Sequence, residues 1–191
     1  MRLFLDICQG LGLSAAAGIR PFLPALATGG LAAADLGVDF EHTSYDFLES
    51  PVWLLAVAIL LVGSLLLRGL LESQAFEAAL GGAAIGLGAL LFAGSLADHG
   101  YVSWPGLIAG GLSAALGQAA VRDLFARTAA RLDHAARGAL PIYFEGVGLV
   151  LALLSVLAPP VSIVAIGFLV WLLAGGKRRG GEKYAGLRIL R

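Results

Sequence analysis

The chain has 191 residues, 59% of them hydrophobic and only 14% charged, with no net charge and a mean hydropathy of +0.87. Soluble domains carry about 25% charged residues, so this balance excludes a soluble domain of ordinary composition and points to a chain that lives in a lipid bilayer. Zero net charge gives no nucleic-acid partner, and the single cysteine, Cys8, excludes an intramolecular disulfide.

The first apolar segment covers residues 7–34, and its centre, residues 10–27, reads GLGLSAAAGIRPFLPALA. Arg20 stands in the middle of that string, followed by Pro21 and Pro24. A charge at membrane depth is costly and marks a functional site by default. Proline has no N–H and clashes with the preceding turn, so the helix is expected to break at Arg20-Pro21. Neither half reaches the ~20 residues needed to cross a bilayer. Together they cross as one kinked helix, or dip in and return as a re-entrant hairpin. Asp6 and Arg20 interrupt the apolar core of a cleavable leader, so the segment is expected to be retained.

Residues 35–49 form a polar loop with Asp35, Asp39, Glu41, His42, Asp46 and Glu49 and no lysine or arginine. It lacks the EF-hand pattern and reads as a solvated surface. Pro51, suited to a first helical turn, opens an uncharged run over residues 51–67, and Arg68, Glu72 and Glu77 make a polar connection. Residues 78–97 are a third span, holding Gly81, Gly82, Gly86 and Gly88, and Asp98-His99-Gly100 is a turn signal. Residues 100–121 are a fourth span, with Gly106 and Gly110 at the spacing that lets membrane helices approach closely. Arg122, Arg127, Arg131 and Arg137 follow at helical spacing, so this helix is expected to extend beyond the membrane surface and lie near anionic headgroups.

The last apolar region, residues 146–176, is 31 residues without a charge. One helix of that length would measure about 46 Å against a hydrocarbon core of about 30 Å. Pro159-Pro160 near its middle predicts two helices joined as a hairpin, with residues 141–145 giving the first turn of one. Six membrane segments with both termini cytoplasmic then put twelve of the thirteen basic residues inside and leave only Arg20 in the membrane, as the excess of basic residues on the cytoplasmic side requires.

Gly12-Leu-Ser-Ala-Ala-Ala-Gly18 recurs as Gly111-Leu-Ser-Ala-Ala-Leu-Gly117, six of seven residues identical at an offset of 99. In each half an arginine follows (Arg20, Arg122), then a polar stretch, then Phe-Leu-Glu49 or Tyr-Phe-Glu145 before the next apolar run. Three segments per half would insert the second copy upside down. The expected fold is therefore an all-α polytopic membrane protein of about six transmembrane segments in two inverted three-helix repeats, residues 1–97 and 98–178, with a basic tail at 179–191. Inverted repeats of this kind build many transporters, with sites near the midplane at discontinuous helices.

The string Gly18-Ile-Arg20-Pro21-Phe-Leu-Pro24, with the small residues before it, resembles the signature of a family of small bacterial multi-pass inner-membrane proteins catalogued as a domain of unknown function. The resemblance is most specific over residues 10–31 and weaker over 111–145. It implies a multi-pass protein of the bacterial inner membrane and brings no activity or ligand. The acidic segment with lysine and proline that follows the second helix in that family is replaced here by Arg68-Gly-Leu-Leu-Glu72-Ser-Gln74.

The candidate ligand-binding residues are Arg20, Ser14, Gly18, Pro21, Glu145 and Ser113. A guanidinium beside an opened helix can grip a carboxylate or phosphate with two hydrogen bonds. The competing reading is a structural ion pair of Arg20 with Glu145, Asp6 or Glu49. Glu145 and Glu49 also read as carboxylates near the positive end of a helix dipole, and Ser14 and Ser113 as helix-packing residues. His42 and His99 fall on the outer side of the expected topology and His134 on the inner side, so no shared metal is expected. No hydrolase, metalloprotease or nucleotide-loop signature is present, so neither an enzyme nor a cofactor is expected. One functional expectation is a small transporter or channel for a small anionic or polar solute, working as a homodimer. The other is a non-transporting structural, lipid-handling or scaffolding membrane protein.

Overall fold

The computed structural model describes residues 1–67, 74–129, 131–132 and 134–185, with the side chains of 134–137 and 176–185 outside the description. Seven α-helices and no strand occur among the described residues. They are α1 (Arg2–Ile19), α2 (Phe22–Ala32), α3 (Pro51–Leu67), α4 (Gln74–Ala97), α5 (Trp104–Ala129), α6 (His134–Leu157) and α7 (Val161–Ala185), with one 3-10 turn at Asp46–Leu48. Gln74–Ala97 and Gly138–Leu157 are long and apolar enough to cross a membrane, and Phe22–Ala32, Pro51–Leu67 and Val161–Gly175 are shorter apolar helices. These helices fit association with a membrane.

The first apolar segment breaks where the prolines demand it. Arg20 caps α1 in an extended conformation (φ −149°, ψ 124°), and Pro21 is the helical N-cap of α2. The two helices then run antiparallel, because Gln9 Nε2 donates to the Gly37 carbonyl at 2.9 Å just past the end of α2. At 1.5 Å per residue, α1 is about 27 Å long and α2 about 16 Å, so the chain doubles back on itself as a helical hairpin. The two halves of the first apolar segment thus form a hairpin of two helices, and they bring the described helices to seven.

The hairpin also reverses the expected position of the N-terminal end. Asp6 lies beside His99, the Ser95 hydroxyl donates to the Asp6 carbonyl (3.0 Å), and Asp39 N–H donates weakly to Asp98 (3.4 Å). The start of α1, the 33–50 loop, the turn after α4 and the α6–α7 turn at Pro159-Pro160 therefore share one end, which we call the acidic end. The α1–α2 corner and the connection from α5 to α6 lie toward the other, basic end. Since α7 runs away from the acidic end, the two ends of the described chain lie at opposite ends of the bundle, not on one side. The reason is simple: a segment that goes in and comes back adds an even number of passes.

The repeated motif is a packing device. Ser113 Oγ donates to the Leu11 carbonyl (3.1 Å), Gly117 meets the Ala15 carbonyl, and Ile19 packs with Val121. These three contacts keep a constant register, so α1 and α5 run parallel with the two motif copies side by side. Inverted repeats would have set the copies in opposite directions, and that expectation is corrected. Helix α4 runs antiparallel to both, with Gly88 at the three-way junction. A Cβ there would lie 2.5 Å from Ala114 Cβ and 3.1 Å from the Ser14 carbonyl. At Gly18 a Cβ would strike the backbone of Ala114. Small residues let these three helix backbones meet where no side chain fits.

Helix α1 is the hub, packed against α4, α5, α6, α7 and α2, while α3 rests on α2 and the 3-10 turn. The exposed side chains of α3 include Val52, Leu55, Ile59, Val62 and Leu66, at helical spacing. Further exposed apolar residues line α5 (Ile108, Leu112), α6 (Ile142, Val150, Leu154) and α7 (Val164, Phe168, Trp171). The 33–50 loop departs from a solvated surface, because Val38, Phe40, Tyr45 and Leu48 bury themselves against Ala32 and Ala93. Helix α6 starts at His134, so Pro141 is interior and residues 141–145 are not its first turn. Proline this early in a helix forfeits one bond of the ladder, and the two turns before it hold the helix. The α5 overhang runs to Ala129 as expected, and α7 runs on to Ala185. Arg68 and Glu72 and the side chains of His134 and Arg137 lie outside the description, as do those of the basic residues from Lys177 onward.

Candidate functional site

In an unbroken helix the carbonyls of Ala17 and Arg20 would receive the N–H groups of residues 21 and 24, and both are proline. The α1–α2 corner thus takes two carbonyls out of the helical ladder beside a cation. Arg20 N–H still bonds the Ala16 carbonyl at 3.0 Å, and Thr28 Oγ1 donates to the Pro24 carbonyl at 2.8 Å. Helix α6 comes close enough for Gly148 to lie against Pro24, the Ala16 carbonyl and Arg20 Cβ. One turn earlier, α6 presents Glu145.

Glu145 Oε1 lies 3.8 Å from Arg20 Nε, with the side chains 7% and 15% exposed. That is an ion pair rather than a hydrogen bond. Glu145 is about 17 Å along α6 from its start, close to the middle of the helix. Ile19, Val121, Leu140 and Phe144 form the apolar surroundings. In such surroundings a paired charge is held far more strongly than in water, and removing one partner leaves the other stranded.

The other candidate residues have structural places of their own. Ser14 and Ser113 both donate to the Leu11 carbonyl, at 3.0 and 3.1 Å, which ties α5 to α1. Gly18 is occupied by its contact with Ala114, and Pro21 forms the corner itself. The structure brings Arg20, Pro21 and Glu145 together, with the two serine hydroxyls directed to backbone in the α1–α5 seam. Of the three possible partners of Arg20, only Glu145 is beside it. Glu49 instead accepts the Phe40 N–H at 3.2 Å.

Asp6 belongs to a second polar cluster that sequence reasoning missed. His99 Nδ1 lies 3.5 Å from Asp6 Oδ2 and 3.8 Å from Asp98 Oδ2. Burial pushes the Asp98 carboxyl above its ordinary range, with the His99 charge and the Asp39 N–H pulling the other way. Burial raises Glu49 as well, against the opposing Phe40 N–H. A re-entrant hairpin is the signal that would have found this cluster, because only then do residues 6 and 98–99 share an end. No group of three or more His, Cys, Asp or Glu able to hold a metal occurs among the described residues.

An all-helical bundle with apolar outer faces, a helical hairpin broken at an arginine, and a glutamate facing that arginine from a long apolar helix is the class of protein defined here. The chain belongs to the family described as domain of unknown function DUF4126, whose model matches residues 7–178. No curated protein and no solved structure matches it.

Proposed function

We propose that this protein is a multi-pass membrane protein of the bacterial inner membrane, acting as a small transporter or channel for a small anionic or polar solute, with its site at the α1–α2 corner. The observation that carries the reading is the buried Arg20–Glu145 pair, set halfway along apolar α6 beside a helix opened by two prolines. Backbone that is not helical at membrane depth occurs where it is enclosed by protein or lines a cavity. In this reading Glu145 occupies the guanidinium as the anionic group of a solute would, and exchange between the two is the binding step.

Charge placement supports an orientation. Apart from Arg20 at the α1–α2 corner, the described arginines of the basic end are Arg122, Arg127 and Arg131, against Arg2 alone at the acidic end, where the 33–50 loop and the turn after α4 hold none. The basic end is then cytoplasmic. The start of α1 faces outward and α7 ends inside, which revises the expectation of two cytoplasmic termini. The apolar outer faces of α3, α5, α6 and α7 meet lipid.

The test is flux into proteoliposomes across a panel of small anions and polar solutes. Wild type is expected to move at least one of them, with Arg20→Ala and Glu145→Gln each slowing it at least tenfold. Equal flux in wild type and Arg20→Ala across the panel refutes the role given to Arg20.

A second reading, a non-transporting scaffold or lipid-handling protein, is favoured by the closeness of Glu145 itself, which satisfies an arginine without any solute. It predicts that both variants lose stability and that no solute moves.

A further inference from the structure

We propose that the groove between the end of α5 and α7 is a binding site for an anionic phospholipid of the leaflet at the basic end. The groove is about 430 Å³ and is lined by Leu124, Arg127, Thr128, Arg131, Leu132 and Leu172. Two guanidinium groups face it, and no carboxylate of the described residues lines it.

Arg127 is already set for a ligand. Its Nε donates to the Asp123 carbonyl at 3.0 Å, which fixes the plane of the guanidinium against α5. Its Nη2 is buried and has no hydrogen-bond partner among the described residues. A buried, unpaired guanidinium nitrogen is expensive, and a phosphate that draws the guanidinium out toward the groove relieves it with a charge-assisted bond. Arg131, one helical turn on and exposed, offers a second grip, and the Thr128 hydroxyl a third donor. Leu124, Leu132 and Leu172 form the apolar side of the same groove. Leu172 adjoins Trp171, which is exposed and stacked on Phe168 with centroids 5.8 Å apart. The groove thus continues onto the apolar face of α7, where an acyl chain would lie. A soluble anion would use the arginines and leave the leucines idle, whereas a phospholipid uses both. A headgroup with net negative charge matches the two arginines, and a zwitterionic one brings a cation back to them.

The inference rests on the membrane placement above and not on the Arg20 site. Each basic residue near an anionic headgroup contributes a factor of roughly five, so both arginines give about 25-fold. The experiment uses full-length protein with Trp53→Phe and Trp104→Phe, leaving Trp171 as the reporter, in mild detergent. Brominated phosphatidylglycerol and brominated phosphatidylcholine of the same chain length are titrated separately, and the quenching of Trp171 is read. Phosphatidylglycerol is expected to quench at about 25-fold lower concentration. Arg127→Gln/Arg131→Gln should bring the two lipids to parity, and Arg127→Lys/Arg131→Lys should restore most of the preference. Exposed Arg131→Gln alone, which leaves the packing of Arg127 intact, should cost about fivefold.

Equal quenching by the two lipids in the parent protein overturns the site, and so does an undiminished preference in the Gln/Gln variant. Inorganic phosphate that competes as well as phosphatidylglycerol does would show an anion site without lipid recognition and would also overturn it. Alkaline extraction of the protein from cell membranes is scored in parallel. Release into the soluble fraction refutes the membrane placement, whereas retention with no lipid preference refutes this site alone.

Discussion

Gly88 provides a quantitative test of the small-residue seam, because Gly82 and Gly86 on the same helix serve as its controls. Replacing any of the three by alanine brings the same propensity gain, about 0.5–1 kcal/mol for a helix interior. Among the described residues nothing lies within 4 Å of a Cβ built at Gly82 or Gly86, whereas one at Gly88 falls 2.5 Å from Ala114 Cβ and 3.1 Å from the Ser14 carbonyl. Carbon atoms pack best about 3.5–4.0 Å apart, so α4 and α5 must separate by about 1 Å, a gap that forfeits a quarter to a half of each contact's dispersion energy. Overpacking of this kind costs about 1–3 kcal/mol. After the propensity gain, Gly88→Ala should lose about 1 kcal/mol. For a chain of this size 1 kcal/mol moves Tm by roughly 2–4 °C, so the melting temperature in mild detergent should fall by about 2–4 °C. Gly82→Ala should raise it by about 2 °C. Gly88→Ala melting at or above wild type, or Gly82→Ala falling as far, would show that the seam is not close-packed and would sink the parallel register of α1 and α5.

Three further perturbations probe the polar groups. Arg20→Ala and Glu145→Ala should each cost about 3–5 kcal/mol by stranding a buried charge, with a double-mutant coupling of about 0.5–3 kcal/mol; strictly additive melting shifts would argue that the two charges do not sense each other. For Glu49, burial raises the carboxyl in the folded protein, so the stability linked to it is full below the unfolded value and is lost as pH rises through the folded value. Glu49→Gln, which keeps an acceptor for the Phe40 N–H, should therefore melt higher than wild type at neutral pH and lose that acid-side gain. Glu49→Ala should melt lower by about 1–3 kcal/mol, since the buried Phe40 N–H is left unsatisfied; a Gln variant less stable than the Ala variant would contradict this account. Ser113→Ala should lose about 1 kcal/mol, and its Tm is to be compared with that of Ser64→Ala, whose hydroxyl bonds only within its own helix at Leu61.

Much of the fold is written in residues whose chemistry acts locally. Pro21 and Pro24 dictate a break at Arg20, and Pro159-Pro160 separates α6 from α7. The matched Gly12–Gly18 and Gly111–Gly117 strings mark the two helices that touch. Direction is what local chemistry leaves out. A kinked helix and a returning hairpin have the same apolar length, and the difference between them appears only in long-range contacts such as Gln9 with Gly37. From that one ambiguity follow the end expected for Asp6 and the direction expected for the second copy of the repeat. The burial of Phe40 is illegible for a related reason. Its loop is acidic, and the carboxylates of Asp39 and Glu49 serve to bond the backbone at Glu41 and Phe40 rather than only to meet solvent. At the site, Arg20 announces itself as a costly charge, but three carboxylates could have matched it, and only packing chooses Glu145.

The hub position of α1 has a consequence for how the protein is made. Twelve of its eighteen residues are buried, among them Asp6, Gln9 and Ser14, and four of the five helices that cover it are α4 to α7. The ribosome delivers α1 first and its walls last. Until α5 emerges, the Leu11 carbonyl waits for Ser113, and until α6 emerges, Arg20 waits for Glu145. The hairpin must therefore be held in a provisional environment through most of synthesis, and a chain arrested after α3 has a buried-type helix with nothing yet to bury it.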